Sequence, residues 1–109
     1  MSQPEPNLTV VIPVHNAAPH LGACVESLLA QSYTDFELNL VENGSSDDSR
    51  ERCARYAAEH PGRIRTLTLD KASVSAARNA GIDNARGRFI TFMDADDWAE
   101  KEFLAAFFR

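Results

Sequence analysis

Residues 8–16 read Leu-Thr-Val-Val-Ile-Pro-Val-His-Asn, and the change of character inside this stretch decides the fold. Leu8 to Ile12 is an almost wholly apolar, β-branched run, the pattern of a short strand buried on both faces, and Pro13 stops it. Polar His15 and Asn16 follow. From Pro19 to Gln31 the apolar residues Leu21, Val25, Leu28 and Leu29 then fall at helical spacing, with Pro19 suited to the first turn. A strand that leads through a polar turn into an amphipathic helix is the opening of a βαβ unit.

The same alternation continues along the chain. Phe36 to Val41 reads as a second strand ended by Glu42-Asn43-Gly44, and Ser45 to Asp48 offers N-cap and first-turn residues for a helix reaching Glu59. Pro61-Gly62 breaks that helix, and Ile64 to Leu69 alternates apolar residues with Arg and Thr as a third, more peripheral strand. Ser73 to Ala85 reads as a helix of small residues, with Val74, Ala77, Gly81, Ile82 and Ala85 on one face for close packing on a sheet. Phe89 to Met93 reads as a fourth buried strand, running into Asp94-Ala95-Asp96-Asp97, and Trp98 to Phe108 as a last helix. Strands alternating with helices imply right-handed crossovers. The expected fold is α/β: a mostly parallel four-stranded sheet with helices on both faces, Rossmann-like in layout.

The chain has 109 residues, with 11 Lys+Arg against 16 Asp+Glu and a net charge of −5. That length suits one domain. The acidic balance and few aromatics exclude a general nucleic-acid binder. No apolar run is long enough to span a membrane, and residues 1–7 lack the regions of a signal peptide and read as a disordered tail before a domain over 8–109. Cys24 and Cys53 have no metal-ligand spacing and read as buried free thiols of a reducing cytosol.

Parallel sheets bind ligands outside the carboxyl ends of their strands. Here those ends carry Pro13 to Asn16, Glu42 to Asp48 and Asp94 to Asp97, so six of the 16 acids share one rim: Glu42, Asp47, Asp48, Asp94, Asp96 and Asp97. Massed acids repel unless a cation or a hydrogen-bonding ligand sits among them. Asp94 and Asp96 can turn toward one point and offer hard oxygen ligands to Mg²⁺ or Mn²⁺ shared with a phosphate; the same run also suits an acidic turn capping the last helix. Glu42 and Asn43 could hydrogen-bond a ligand, Asn43 offering its carbonyl to a pyrimidine ring N–H and its amide to a ring carbonyl. They equally suit a strand-to-helix turn with Gly44 at its permissive angle. Arg78, beside Asn79, could pair with rim acids or with a phosphate. His15 reads as a hydrogen-bonded loop residue, Lys71, Arg86 and Arg88 as solvated charges, and His20 and His60 carry no role.

Taken in order, VIPVHN, LVENGSSDDS and SVSAARNAGIDNARGRFITFMDADDW closely resemble the N-terminal half of family-two glycosyltransferases, inverting enzymes of the GT-A type, over the chain from Leu8 onward. The resemblance implies that Pro13, Val14, His15 and Asn16 line a nucleotide pocket and that Glu42 and Asn43 contact the base. It implies further that Arg78 and Asn79 order the pocket and that Asp94 faces the ribose or the metal. Asp96 would then ligate a Mn²⁺ or Mg²⁺ ion bridging the two phosphates. The implied donor is a nucleotide sugar, a UDP-sugar first, and the acceptor a carbohydrate or a lipid-linked one. The implied location is the cytoplasm, with the parent protein at the cytoplasmic face of a membrane. His15 stands where the family commonly has Tyr, and Glu42-Asn43 where it commonly has two aspartates.

The family's base lies downstream of the metal motif. The catalytic base is therefore expected beyond residue 109, and the chain reads as truncated at its C-terminus and inactive alone. Phe103, Leu104, Phe107 and Phe108 are expected to seek a partner surface, by self-association or against further chain. Two rival readings are a non-catalytic nucleotide- or metal-binding or oligomerising module, and a metal-dependent phosphohydrolase with Asp94 as nucleophile. The phosphohydrolase would want its Asp-x-Asp after an early strand rather than the fourth.

Overall fold

A computed structural model describes residues 5–70 and 73–108. Its elements are β1 (Leu8–Val14), α1 (Ala18–Leu29), β2 (Phe36–Asn43), α2 (Ser49–Glu59), β3 (Ile64–Leu69), α3 (Val74–Asp83) and β4 (Phe89–Phe92), followed by a 3-10 turn over Ala105–Phe108. The strands pair in the order β3–β2–β1–β4, all parallel, so the expected sheet is present with β3 at one edge. β1 and β2 are the centre, each with a strand on both sides. Every residue of β2 is buried.

Side-chain alternation sends Leu8, Val10, Ile12 and Val14 of β1 and Phe36, Leu38 and Leu40 of β2 to one face. There they pack with Leu21, Cys24, Val25 and Leu28 of α1 and Cys53 of α2. The opposite face presents Val11 and Val41 to Ala77 of α3. Helices therefore cover both faces, as expected. α3 approaches closely because Gly81 has no side chain: a Cβ there would run into Val11, and the Asn39 amide reaches the Gly81 carbonyl at 3.2 Å. Only Ala77 and Gly81 of α3 are buried, and Val74 and Ile82, expected on its packing face, are exposed. Both cysteines are free and buried, and burial pushes each thiol up to about 12, helped by neighbouring acids.

Two expectations are corrected. β4 is not buried: Phe89, Ile90 and Phe92 are exposed, because no described strand lies beyond this edge and the helices cover the other strands. The segment after Asp97 is not an α-helix either. Its backbone bonds elsewhere: the Ala99 N–H donates to Ser27 Oγ at 2.9 Å and the Leu104 N–H to Gln31 Oε1 at 2.9 Å, while the Ser32 N–H donates to the Lys101 carbonyl at 3.0 Å. These partners on and after α1 lay the segment across the core face, and Leu104 is wholly buried there rather than unpartnered. Trp98, at 67% exposure, and the half-exposed Phe103 and Phe107 remain on the surface.

Residues 1–4 of the tail, and Lys71, lie outside the described residues. Asn7 is tied to the fold, donating to the Tyr33 hydroxyl at 2.9 Å and accepting from the Phe89 N–H at 3.0 Å. Among the described residues no helix is long and apolar enough to cross a membrane.

Candidate functional site

The loops after β1, β2 and β4 open onto a shared cleft of ≈ 370 Å³ at the carboxyl ends of the strands. It is lined by Pro13, His15, Asn16, Ala17 and His20 from the first loop and start of α1, and by Asn43 from the end of β2. Val74 and Arg78 of α3, with Asp94, Ala95 and Asp96 beyond β4, complete it. Seven of the residues singled out in the sequence thus meet: Pro13, His15, Asn16, Asn43, Arg78, Asp94 and Asp96. Three do not. Val14 is buried beneath, Glu42 is buried behind the wall, and Asn79 is exposed on α3 outside the lining.

Cross-loop hydrogen bonds set the shape of this cleft. Asn16 occupies the left-handed region at φ 48°, which Asn tolerates better than most residues. Its Oδ1 accepts from the backbone N–H groups of Ser46 at 2.8 Å and Asp47 at 3.3 Å, and its own N–H donates to Ser45 Oγ at 3.0 Å. Asp47 answers across the same gap. One of its oxygens accepts from the Ala18 N–H at 3.2 Å, capping α1, and the other from the Ser49 N–H at 2.9 Å, at the start of α2. Those bonds, chiefly to Ser49, hold the Asp47 carboxyl below its ordinary range. His15 Nδ1 lies 2.7 Å from the Asn43 carbonyl oxygen, which can only accept, so Nδ1 carries the proton and Nε2 is left as the acceptor. The Asn16 amide approaches that Nε2 at 3.4 Å.

The acidic rim therefore divides. Glu42 Oε1 accepts from the Ser45 N–H at 2.6 Å in the turn at Gly44, whose φ is 66°. Asp48 pairs with Arg52 at 3.1 Å, and Asp47 is a cap. Asp94, Asp96 and Asp97 remain, all exposed, with no side-chain hydrogen bond or ion pair among the described residues. The Asp97 N–H donates to the Asp94 carbonyl at 3.1 Å, closing a tight turn, while Ala95 points into the core. One carboxylate oxygen from each of the three can lie within 4.8 Å of the others. Three convergent hard oxygens with open solvent in front fit a Mg²⁺ or Mn²⁺ ion that also takes phosphate oxygens.

Asp97 is the acid of this cluster that the sequence reading left out of the candidate metal set, though the Asp-Ala-Asp-Asp run held the signal, since a four-residue turn brings its ends together. His20, given no role from sequence, lines the cleft from the first turn of α1. Arg78 is the cation of the cleft, its guanidinium 5.9 Å above the Phe92 ring and in no ion pair with a described acid. Arg86, read as a solvated charge, instead lies at the opposite end of the sheet, paired with buried Glu37.

Comparison with known proteins bears on the family and the fold. The model of glycosyl transferase family 2 matches residues 9–109. Glycosyltransferase GlyA of Streptococcus pneumoniae is 36% identical over 102 residues, 94% of this chain and 14% of that protein. The uncharacterized glycosyltransferase YibD of Escherichia coli is 42% identical over 90 residues, 83% of this chain and 26% of that protein. Among solved structures, S. aureus TarS 1-349 in complex with UDP-GlcNAc superposes with a TM-score of 0.83 at 25% identity, covering 92% of this chain and 29% of that one. The mannosyltransferase PcManGT from Pyrobaculum calidifontis, in complex with GDP-Man and Mn²⁺, gives 0.83 at 25% identity, covering 93% and 31%. The chain thus spans between a seventh and a third of the length of these relatives.

Proposed function

The chain belongs to glycosyltransferase family 2, and on that premise we propose that its cleft binds the nucleoside diphosphate of an activated sugar, whose sugar passes to an acceptor hydroxyl with inversion. The observation that carries the reading is the convergence of Asp94, Asp96 and Asp97 beside Arg78 at the carboxyl ends of parallel strands. Nucleotide-sugar complexes of the two structural neighbours, one with Mn²⁺, support it. Asp96 and Asp94, with Asp97 beside them, would hold the divalent ion. Bound there, such an ion acts as a Lewis acid and offsets charge developing on the departing diphosphate.

The chain's own residues do the rest of the binding. Arg78 adds a fixed positive charge to the cleft that Asp94 and Asp96 also line, where a phosphate can take its N–H groups. Val74 and Pro13 give apolar surface for a nucleoside, and the Asn16 and Asp47 bonds keep the first two loops from separating when the cleft is empty. Displacement from the face opposite the leaving group inverts the anomeric carbon, and a carboxylate outside the residues assigned here takes the acceptor's proton.

Thermal unfolding with UDP, dTDP, GDP and CDP, each with and without Mn²⁺, tests the proposal. A nucleotide at about 100 times its Kd should stabilise by roughly 2.7 kcal/mol. The expected result is a rise in Tm that needs both nucleotide and metal and is lost in Asp96→Ala. Nucleotide binding that Asp96→Ala leaves intact would overturn the assignment of the acidic turn.

A further inference from the structure

We propose that Ser27 is a positioning residue for the divalent ion, pinning the acidic turn to α1 so that Asp94, Asp96 and Asp97 converge before an ion arrives; this rests on the donor-site reading above. Three exposed carboxylates with oxygens within 4.8 Å of one another repel, and a free turn would relieve that repulsion by spreading. This turn is gripped on both sides. At its start the Asp94 carbonyl accepts from the Cys24 thiol at 3.6 Å and from the Asp97 N–H at 3.1 Å, and the Ala95 side chain packs in the core. Just past its end, the Ala99 N–H donates to Ser27 Oγ at 2.9 Å, and the Ala99 side chain is buried as well.

The spacing of residues on α1 explains the grip. Cys24 and Ser27 stand three residues apart on one face of the helix, and Gln31, just past its end, continues the same line. The Ser27 hydroxyl works in both directions: it donates to the Cys24 carbonyl at 2.7 Å, which leaves its lone pairs for the Ala99 N–H. Gln31, 4% exposed, donates through Nε2 to the Ser27 and Glu100 carbonyls and accepts through Oε1 from the Leu104 N–H at 2.9 Å. Farther along, and at the surface, the Ser32 hydroxyl donates to Glu102 Oε2 at 2.7 Å. Of these side-chain contacts to the segment after Asp97, the one from Ser27 stands nearest the acids.

The same helix is tied at its other end, where the Ala18 N–H meets Asp47. One rigid element therefore fixes the acidic turn relative to the first two loops of the cleft. Ligands held in place ahead of the ion lose less freedom when it binds. Removing a group that orients metal ligands commonly costs about 10–100-fold in metal affinity.

The test is the Mn²⁺ affinity of the folded chain, read from the electron paramagnetic resonance signal of the free ion, with Mn²⁺ as the only ligand. Ser27→Ala removes the acceptor of the Ala99 N–H and should weaken Mn²⁺ binding about tenfold. Alanine suits a helix interior, so this variant is expected to fold. Ser27→Thr keeps a hydroxyl that can still bond a carbonyl of the preceding turn, and should stay within about twofold of wild type. Ser32→Ala removes a surface hydroxyl from the same segment, away from the acids, and should also stay within about twofold. Wild-type affinity in Ser27→Ala overturns the proposal, as does a Thr variant as weak as the Ala variant. Equal losses in Ser27→Ala and Ser32→Ala overturn it too, since any loosening of the segment would then have the same effect. Asp96→Ala separates the two layers. If it weakens Mn²⁺ binding while Ser27→Ala does not, only the role of Ser27 falls. If wild type takes up no Mn²⁺, or Asp96→Ala takes it up equally well, the assignment of the acidic turn falls too.

Discussion

Glu37 and the trio Asp94, Asp96 and Asp97 are carboxylates at opposite ends of the same parallel sheet, and the protein treats them in opposite ways. Glu37, 1% exposed at the start of β2, accepts from the Thr9 hydroxyl at 2.6 Å, from the Arg86 N–H at 2.7 Å, from Arg86 Nε at 2.9 Å and from Arg65 Nη1 at 3.4 Å. The carboxylates of the trio accept no hydrogen bond among the described residues and stand in solvent. Burial raises the cost of charging Glu37, and the Thr9 hydroxyl, the Arg86 N–H and the Arg86 guanidinium outweigh it, leaving its carboxyl below the usual 4.5. A fully answered charge is a structural fixture, here clamping β1, β2, β3 and the turn before β4. Unanswered charges held close together point to a ligand that answers them.

The sharpest way to break this contrast is at the answered end. Glu37→Gln should lower stability by about 3 kcal/mol, the low end for breaking a buried pair because both guanidinium groups are partly exposed. Urea unfolding measures it, and Mn²⁺ and nucleotide affinity of the folded protein should be unchanged. The pH dependence carries a definite sign. Because the folded Glu37 is more acidic than 4.5, its contribution is full above that pH and is lost as pH falls through the lower folded value. The stability gap between wild type and Glu37→Gln should therefore be constant at neutral pH and shrink below about pH 4.5. A gap that persists unchanged under acid would mean that the carboxylate charge is not what the arginines hold.

Between the two ends lies the stitching of the cleft, and it gives an intermediate effect. Asn16→Ala removes the acceptor of two backbone N–H groups and puts a side chain less tolerant of positive φ at 48°. A loss of about 1–2 kcal/mol is expected, with a weaker nucleotide response, since the first two loops would no longer be joined. An effect on stability with none on binding would show that the stitching serves the fold alone.

These contrasts also mark what the sequence could show. The strands and helices were legible because period and chain punctuation are local: the β-branched run before Pro13, the helical spacing from Leu21, the small residues around Gly81. Asp94 and Asp96 were legible for the same reason, both sitting in one turn. What failed was non-local. Phe-Ile-Thr-Phe in β4 has the composition of a buried strand, but burial depends on what packs against it, and β4 is an edge. Residues 98–108 have helical composition, yet Ser27, Gln31 and Ser32 take their backbone groups. Arg86 meets a partner 49 residues away, and Asn16 and Asp47 bond across loops about 30 residues apart. No sequence window contains both members of such pairs, so Arg86 read as solvated and Asp47 as a cap of its own helix.

The smallest expected effect is the most telling, because its sign differs. Asp97→Asn removes a charge from a cluster whose members repel one another in the absence of an ion. Exposed substitutions usually change stability by no more than about 0.5 kcal/mol. Here the metal-free protein should lie within that range and on the stabilised side, the reverse of Glu37→Gln. Added Mn²⁺ should invert the order, since wild type gains stabilisation from an ion that the variant holds less well. Thermal unfolding of the pair across a Mn²⁺ series reads both facts at once. Curves that cross place a cation among Asp94, Asp96 and Asp97. A variant less stable than wild type even without metal would make the acidic turn a structural element like its counterpart at Glu37, and the contrast between the two ends of the sheet would fail.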